Sequence, residues 1–478
     1  MIRALLVLAA CAPRLDPGPI PAVEAQAPVR LIELPVPGSP AVDLAAVIHA
    51  GSALDPVGSE GIAALTARAM AEAGAGERTA DDLRAALLPT GNDLELVLDR
   101  EWVSFRLRCH PDHASICIDL FADVLAKPAF GETDVQRLRD DAIHAVTDGL
   151  LENDEALGWE VLQSVLFEGH PYGHPVDGRA GVLPLLGPDD ARAFHAAHYV
   201  REEMIAGIAG GYSPADRDHL AARLEEIPAH RGPDDALFDP PPVSGRSIVA
   251  VDTGTPVTGI HFGHPIEVDR NDPDWPALYL ATHALGSHRQ SFGRLFGALR
   301  AERGLNYGDY AYIEHHVERR GSSTAEQAVL RRDNAFTVWI RPTSIDDGPL
   351  ALELALGEVE RWVKEGLTQQ ELDDVRSWLL GSLAVQAPDA GRKQLFALEA
   401  AASGTPDLLT WLPEVLPALT LEDVNAAIAR HVRPADLRIV AVSGEADALV
   451  AELLSDRHTK LGMDEDAAWV VAAGGLFR

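Results

Sequence analysis

Apolar positions along this chain recur with two different periods, and the switches between them lay out its elements. The segment RLIELPVPGSPAVDLAAVIHAG, from Arg30, is two β-rich runs joined by a Pro/Gly turn. A helical stretch follows from Glu60 to Ala73, and NDLELVLDREWVSFRLRCH then reads as two antiparallel strands meeting near Asp99. Three amphipathic helices come next. Their apolar faces are Ile116, Leu120, Phe121, Val124 and Leu125, then Val135, Leu138, Ala142, Val146 and Leu150, then Leu157, Val161 and Val165. RSIVAVDTGTPVTGIHFGHP, from Arg246, opens a second round of the same plan. It predicts strands near 308–317 and 335–342 and helices near 346–364, 368–384 and 420–431.

The second round is a repeat. LGPDDARAFHAAHYVREEMIAGIAGG from Leu186 aligns without gaps to LTLEDVNAAIARHVRPADLRIVAVSG from Leu419, matching Asp190 with Asp423, His198 with His431 and Gly211 with Gly444. Each copy reads as a helix, a short turn, a buried strand and a glycine. Between the halves, residues 228–245 carry five prolines and no periodicity, which marks a linker. The expected organisation is an N-terminal segment 1–28, a first domain 29–227, the linker, a second domain 246–456 and a tail 457–478. The fold class is α+β, each domain a largely antiparallel sheet with helices packed on one face.

Length and charge narrow the function classes. At 478 residues, 47% of them apolar, the chain holds two to four units able to bury their own cores. With 40 basic and 73 acidic residues its formal net charge is -33, which repels phosphate backbones and anionic lipid and argues against a nucleic-acid partner. No apolar run approaches the roughly 20 residues of a spanning helix.

At the N-terminus, Arg3, a short apolar stretch from Ala4 to Ala10, and Leu8-Ala9-Ala10-Cys11 resemble a bacterial lipoprotein signal. Cys11 would be the lipidated residue and the Pro/Ala-rich residues up to Pro28 a tether, placing the protein in the cell envelope, facing the periplasm. Cys109 and Cys117 fit either one disulfide or two buried thiols. Without metal-type spacing, two buried free thiols are the expectation.

IHAGSALDP at Ile48, SEGIAALTARAM at Ser59, LENDEALGWEVLQSVLFEGHPYGHPVDG at Leu151 and SFGRLFGALRAERGLNYGDYAY at Ser291 resemble, as an ordered set over two homologous halves, the insulinase/pitrilysin-type zinc peptidases. The similarity is to their two-domain, processing-peptidase-like branch. Such a resemblance implies an inverted zinc motif, His-x-x-Glu-His, on the first long helix, where positions i and i+4 share a face and both reach the metal. The Glu between them would act as general base, and a Glu from a later helix would complete the ligands. Here the two His positions are Ala64 and Arg68, the base position is Ala67, and the distal Glu position falls near Ala145. A methyl group cannot coordinate zinc, and a permanent guanidinium repels it. No cofactor is therefore expected in this chain, with zinc in a partner subunit only, and no catalysis by the chain alone.

Other clusters are weaker candidates for a metal: His110 with His113, His170 with His174, His195 with His198, and Glu314-His315-His316. In the last, Glu314 and His316 would share one face of a strand. Lone histidines are more often structural than ligating. One element implied by the resemblance persists: Arg300 and Tyr307 keep the spacing of an Arg and a Tyr that bind substrate across the cavity. Against that stands a structural role, Arg300 capping its helix and Tyr307 packing at a strand start. The expected function is a non-catalytic homologue that binds peptides and/or pairs with a zinc-bearing homologue in a clamshell. The alternatives are a stand-alone peptide-binding or scaffolding lipoprotein, or a hydrolase with an unrecognised metal site.

Overall fold

A computed structural model of the chain describes residues 28–91, 93–230, 232, 239–287, 290–317, 326–461, 463 and 465–477. Cys11 with its signal, and seven residues of the 228–245 linker, lie outside the described residues. No helix among them is long and apolar enough to cross a membrane.

The first half contributes β1 (Arg30–Pro35), β2 (Val42–His49), β3 (Glu95–Leu98), β4 (Trp102–Cys109) and β5 (Met204–Gly210). The second contributes β6 (Arg246–Asp252), β7 (Val257–Ile266), β8 (Asp309–Tyr312), β9 (Asn334–Ser344), β10 (Leu437–Ser443) and β11 (Ala468–Ala472). The sheet orders are β1-β5-β2-β4-β3 and β11-β6-β10-β7-β9-β8. Without β11 these are the same topology, so the repeat in sequence is a repeat in space. β5 and β10 begin and end at residues related by the offset that matches His198 with His431, and the preceding helices, Pro188–His198 and Leu421–His431, keep it too.

The two β-rich runs that open each half are not paired with each other. β5 inserts between β1 and β2, parallel to the first and antiparallel to the second, as β10 does between β6 and β7. The Pro/Gly turn therefore spans a gap one strand wide. The tail expected beyond residue 456 also belongs to the fold, because β11 pairs in parallel with β6 at the sheet edge. Beyond it the Phe477 carbonyl accepts a hydrogen bond from the Ala180 amide of the first half.

Each half packs its own helices on one sheet face, the α+β layering expected, and the second face is covered by the other half. Helix Asp154–Leu166 of the first half lies on β7 and β10, while helix Ala390–Ser403 of the second lies on β1, β2 and β5. Close approach is built from glycine at both contacts. A Cβ on Gly158 would sit 2.4 Å from His261 Nδ1, and one on Gly207 would sit 2.7 Å from Gln394 Nε2. Any side chain there would push the halves apart.

Two expectations are corrected. Cys109 and Cys117 are not free thiols but a disulfide tying the end of β4 to helix Ala114–Ala126. Both cysteines are buried, and Ile116, expected on the apolar face of that helix, is 41% exposed instead. Cys117 shares the helix face of Leu120, Phe121 and Val124, which leaves Ile116 off that face and toward solvent. Closing so short a loop, 8 residues apart in sequence, constrains the unfolded chain by about 2–3 kcal/mol. Cys109→Ala/Cys117→Ala is expected to lower stability by that amount in a denaturant titration, and dithiothreitol should do the same to the parent chain. Equal unfolding midpoints with and without reductant would show that the bridge contributes nothing.

Candidate functional site

The helix aligned with the zinc-motif position runs from Ile62 to Glu72. Its N-cap residue, Gly61, has φ 109° and no capping side chain. The missing cap is supplied from upstream. The buried Asp55 carboxylate accepts from the Gly61 and Ala63 amides at 2.6 and 2.8 Å. Burial pushes the Asp55 carboxyl up to about 8, and those two hydrogen bonds oppose the shift. Gly61 also has to be small, since a Cβ there would lie 2.8 Å from Leu183 and 3.0 Å from the Gly178 backbone.

On this helix Ala64 and Ala67 are buried in the first-half core, with no polar atom to offer. Arg68 turns to the loop that crosses the helix start and donates to Asp177 Oδ1 at 2.5 Å, so its charge is matched within the chain. Ala145 opens a wide helical turn, Ala145–Gly149, that continues helix Glu132–His144, which packs on helix Ile62–Glu72. It is half-buried. β3, which the same helix touches, is the outer strand of its sheet and is hydrogen-bonded only to β4 among the described strands.

The histidine clusters do not converge. His170 Nε2 lies 3.3 Å from Asp333 of the second half, whereas His174 faces its own Pro175 carbonyl, and burial pulls His174 down to about 4. His195 Nε2 is bonded to the Leu125 carbonyl, and His198 packs on the Phe194 ring. His110 accepts from the Asp112 amide in a half-turn that ends at His113. The strand expected to run to 317 stops at Tyr312, and the three residues 314–316 diverge. Glu314 is bonded through both oxygens to Arg270, His315 Nε2 lies 3.4 Å from Asp99, and His316 stacks on Tyr312 at 4.4 Å. Among the described residues one group, Asp272, Asp274 and His431, has ligand atoms close enough to share a metal. It is half-buried, and Arg430 already donates to the Asp274 oxygen that faces His431, so a guanidinium occupies the cation position.

Arg300 and Tyr307 do meet. The guanidinium lies 4.7 Å from the centroid of the Tyr307 ring, a cation–π pair, and Tyr307 is 67% exposed. The tyrosine is therefore not packed at a strand start, and its hydroxyl is open to solvent chemistry.

The densest polar constellation was not singled out from sequence. Asp99, Arg100 and Glu101, at the tip of the β3–β4 hairpin, are all buried. Arg331, from the second half, donates to both Asp99 oxygens at 2.8 Å and to Gln163 at 2.8 Å. Arg100 donates to Glu160 and to the Tyr172 and His174 carbonyls. Glu101 accepts from the Tyr172 hydroxyl and from Arg332. The one available signal was three consecutive charges at a hairpin tip, a pattern that ordinarily means solvent.

Comparison with known proteins places this geometry. Residues 35–178 match the profile of the Insulinase (Peptidase family M16) domain and residues 186–379 that of the Peptidase M16 inactive domain. An uncharacterized zinc protease of Mycobacterium tuberculosis is 24% identical over 366 residues, covering 74% of this chain and 77% of that one. The non-peptidase homolog YmxG of Helicobacter pylori is 21% identical over 400 residues, covering 83% and 87%. Among solved structures, the peptidase M16 inactive domain from Pseudomonas fluorescens superposes with a TM-score of 0.75 at 24% identity, covering 86% of this chain and 94% of that one. That similarity establishes the fold.

Proposed function

This chain belongs to the insulinase (M16) peptidase family, and from that premise we propose that it is a non-catalytic homologue that binds peptides and pairs with a zinc-bearing relative. The observation that carries the reading is the helix Ile62–Glu72. Two alanines and an ion-paired arginine stand where two histidines and a glutamate would hold zinc and activate water. Peptide binding needs neither group. An extended peptide can add to the open edge of β3, beside that helix, through main-chain hydrogen bonds alone. In the clamshell, the half-buried Arg300 and the exposed Tyr307 would face the partner's zinc and donate to a substrate carbonyl or a developing oxyanion. Export and anchoring through Cys11 belong to the same proposal. The Cys109–Cys117 disulfide supports it, since such bonds persist in oxidising compartments.

Metal analysis of the purified chain is expected to find no stoichiometric zinc, and unstructured peptides should stay intact in its presence. One tightly held zinc per chain would overturn the reading. A pull-down from the native source should recover a homologue that carries His-x-x-Glu-His. In that complex Arg300→Ala and Tyr307→Phe should each slow cleavage by about 100-fold with assembly intact. Unchanged rates would return the pair to a structural role.

A further inference from the structure

Arg300 and Tyr307 meet, yet neither side chain is held in place by a bond of its own. The Arg300 guanidinium forms no hydrogen bond or ion pair among the described residues, only the cation–π contact with the Tyr307 ring, and that ring stands 67% exposed. Arg300 lies on a wide helical turn, Phe296–Ala301, a local irregularity that recurs at functional sites. What fixes the pair is therefore the loop that joins them.

That loop is tied by its backbone at both ends. The Gly304 amide donates to the Arg300 carbonyl and the Leu305 amide to that of Leu299, while the Gly308 carbonyl accepts from the Arg341 amide of β9. Between these ties stands Tyr307, flanked by two residues that are buried: Asn306 is 2% exposed and Asp309 0%. The Asn306 side-chain amide donates to Asp309 Oδ1, so one side-chain bond spans the tyrosine and closes the loop across it.

The chemistry of this bond is the independent observation. Burial raises the Asp309 carboxyl to about 6 and the Asn306 bond opposes the shift, so near neutral pH a charge sits inside the second half. The other two oxygens of the pair, Asp309 Oδ2 and Asn306 Oδ1, accept no hydrogen bond among the described residues. A half-satisfied buried polar pair is less stable than apolar side chains of the same size. Sequences break that rule where a functional group has to be held, and here the break brackets one exposed tyrosine.

We propose that Asn306 and Asp309 are positioning residues, which hold Tyr307 outward and against the Arg300 guanidinium by closing the loop across it. Without their bond the tyrosine and the arginine, which have no other polar partner among the described residues, are free to separate. Two donors are then no longer presented together to one substrate carbonyl. This rests on the reading of Arg300 and Tyr307 as a substrate-binding pair and names what fixes their geometry.

Fluorine NMR of the full chain labelled with 3-fluorotyrosine reads the loop directly, with one line for each of the 7 tyrosines. Tyr307→Phe assigns the Tyr307 line, and Arg300→Met measures how far the guanidinium displaces it. Asn306→Ala and Asp309→Ala are each expected to remove most of that displacement, while the lines of Tyr172 and Tyr199, buried in the first half, stay in place. Asp309→Asn keeps an acceptor for the Asn306 amide and should retain the displacement. A Tyr307 line that keeps its displacement in either alanine variant overturns the proposal. So does a shift of all the lines together, which would make the pair part of the core and nothing more. No zinc-bearing partner enters the measurement, so a failed pull-down counts against the proposed function and leaves these spectra unaffected.

Discussion

Replacing Arg331 with methionine is expected to cost about 3–5 kcal/mol, a large part of the 5–15 kcal/mol that holds a typical domain folded. The reason is what it leaves behind. Arg331 spans the two halves, and its side chain and that of Asp99 are 3% and 5% exposed, so both charges depend on each other rather than on water. Burial alone would raise the Asp99 carboxyl. Arg331, helped by His315 and Arg100, holds it instead well below the usual carboxylate range. Methionine fills the volume but leaves a buried carboxylate facing an apolar side chain, and the Gln163 oxygen loses its donor as well. The double variant Asp99→Asn/Arg331→Met should recover part of the loss, because the stranded charge is then gone. Urea titration of the three proteins measures this directly. A single Arg331→Met variant within 1 kcal/mol of the parent, or a double variant no better than the single, would show that the pair is not what joins the halves.

Acid is expected to destabilise the chain well before most of its carboxylates titrate. Burial pulls His174, His198, His264 and His283 down to about 4 and His261 and His316 down to about 3. A histidine depressed in the folded state stays neutral while its unfolded counterpart takes a proton near pH 6.5. Between pH 6.5 and 4 the unfolded chain therefore binds more protons, and stability falls as pH falls. Each such group adds a slope of up to about 1.4 kcal/mol per pH unit. Two carboxyls work the other way. Asp55 and Asp309, raised by burial to about 8 and about 6, favour the folded state as pH falls. The histidines outnumber them. A net loss of about 7 kcal/mol from pH 7 to pH 5 is the expected outcome. Melting temperatures across that range, with His261→Met flattening the slope, are the check. His261 suits it, since its Nδ1 has no hydrogen-bond partner to lose among the described residues. A stability profile flat from pH 7 to pH 5 would rule the mechanism out.

Local order in this protein was legible in its residues, and long-range order was not. The helix Ile62–Glu72, the β3–β4 hairpin and the repeat that carries β5 onto β10 all follow from periodicity and turn chemistry, because these depend on neighbours within a few residues. The alignment of Ala64, Ala67 and Arg68 with a metal motif came from the family resemblance, and helix geometry adds only that the three share one face. Insertion of β5 between β1 and β2 was not legible, since a strand carries no local mark of which edge it will join from more than 150 residues away. Helix Ala390–Ser403 escaped notice, and with it the exchange of helices that covers each sheet's second face. Asp99-Arg100-Glu101 reads as a solvated turn until Arg331 closes over it, and whether Cys109 and Cys117 are thiols or a bridge depends on how near the fold brings them. The sequence by itself determined the type of the strongly periodic segments and that there are two copies. Only the tertiary structure decided which charges are buried and which faces meet, because burial is a property of what arrives from elsewhere in the chain, and period and spacing describe only what is near.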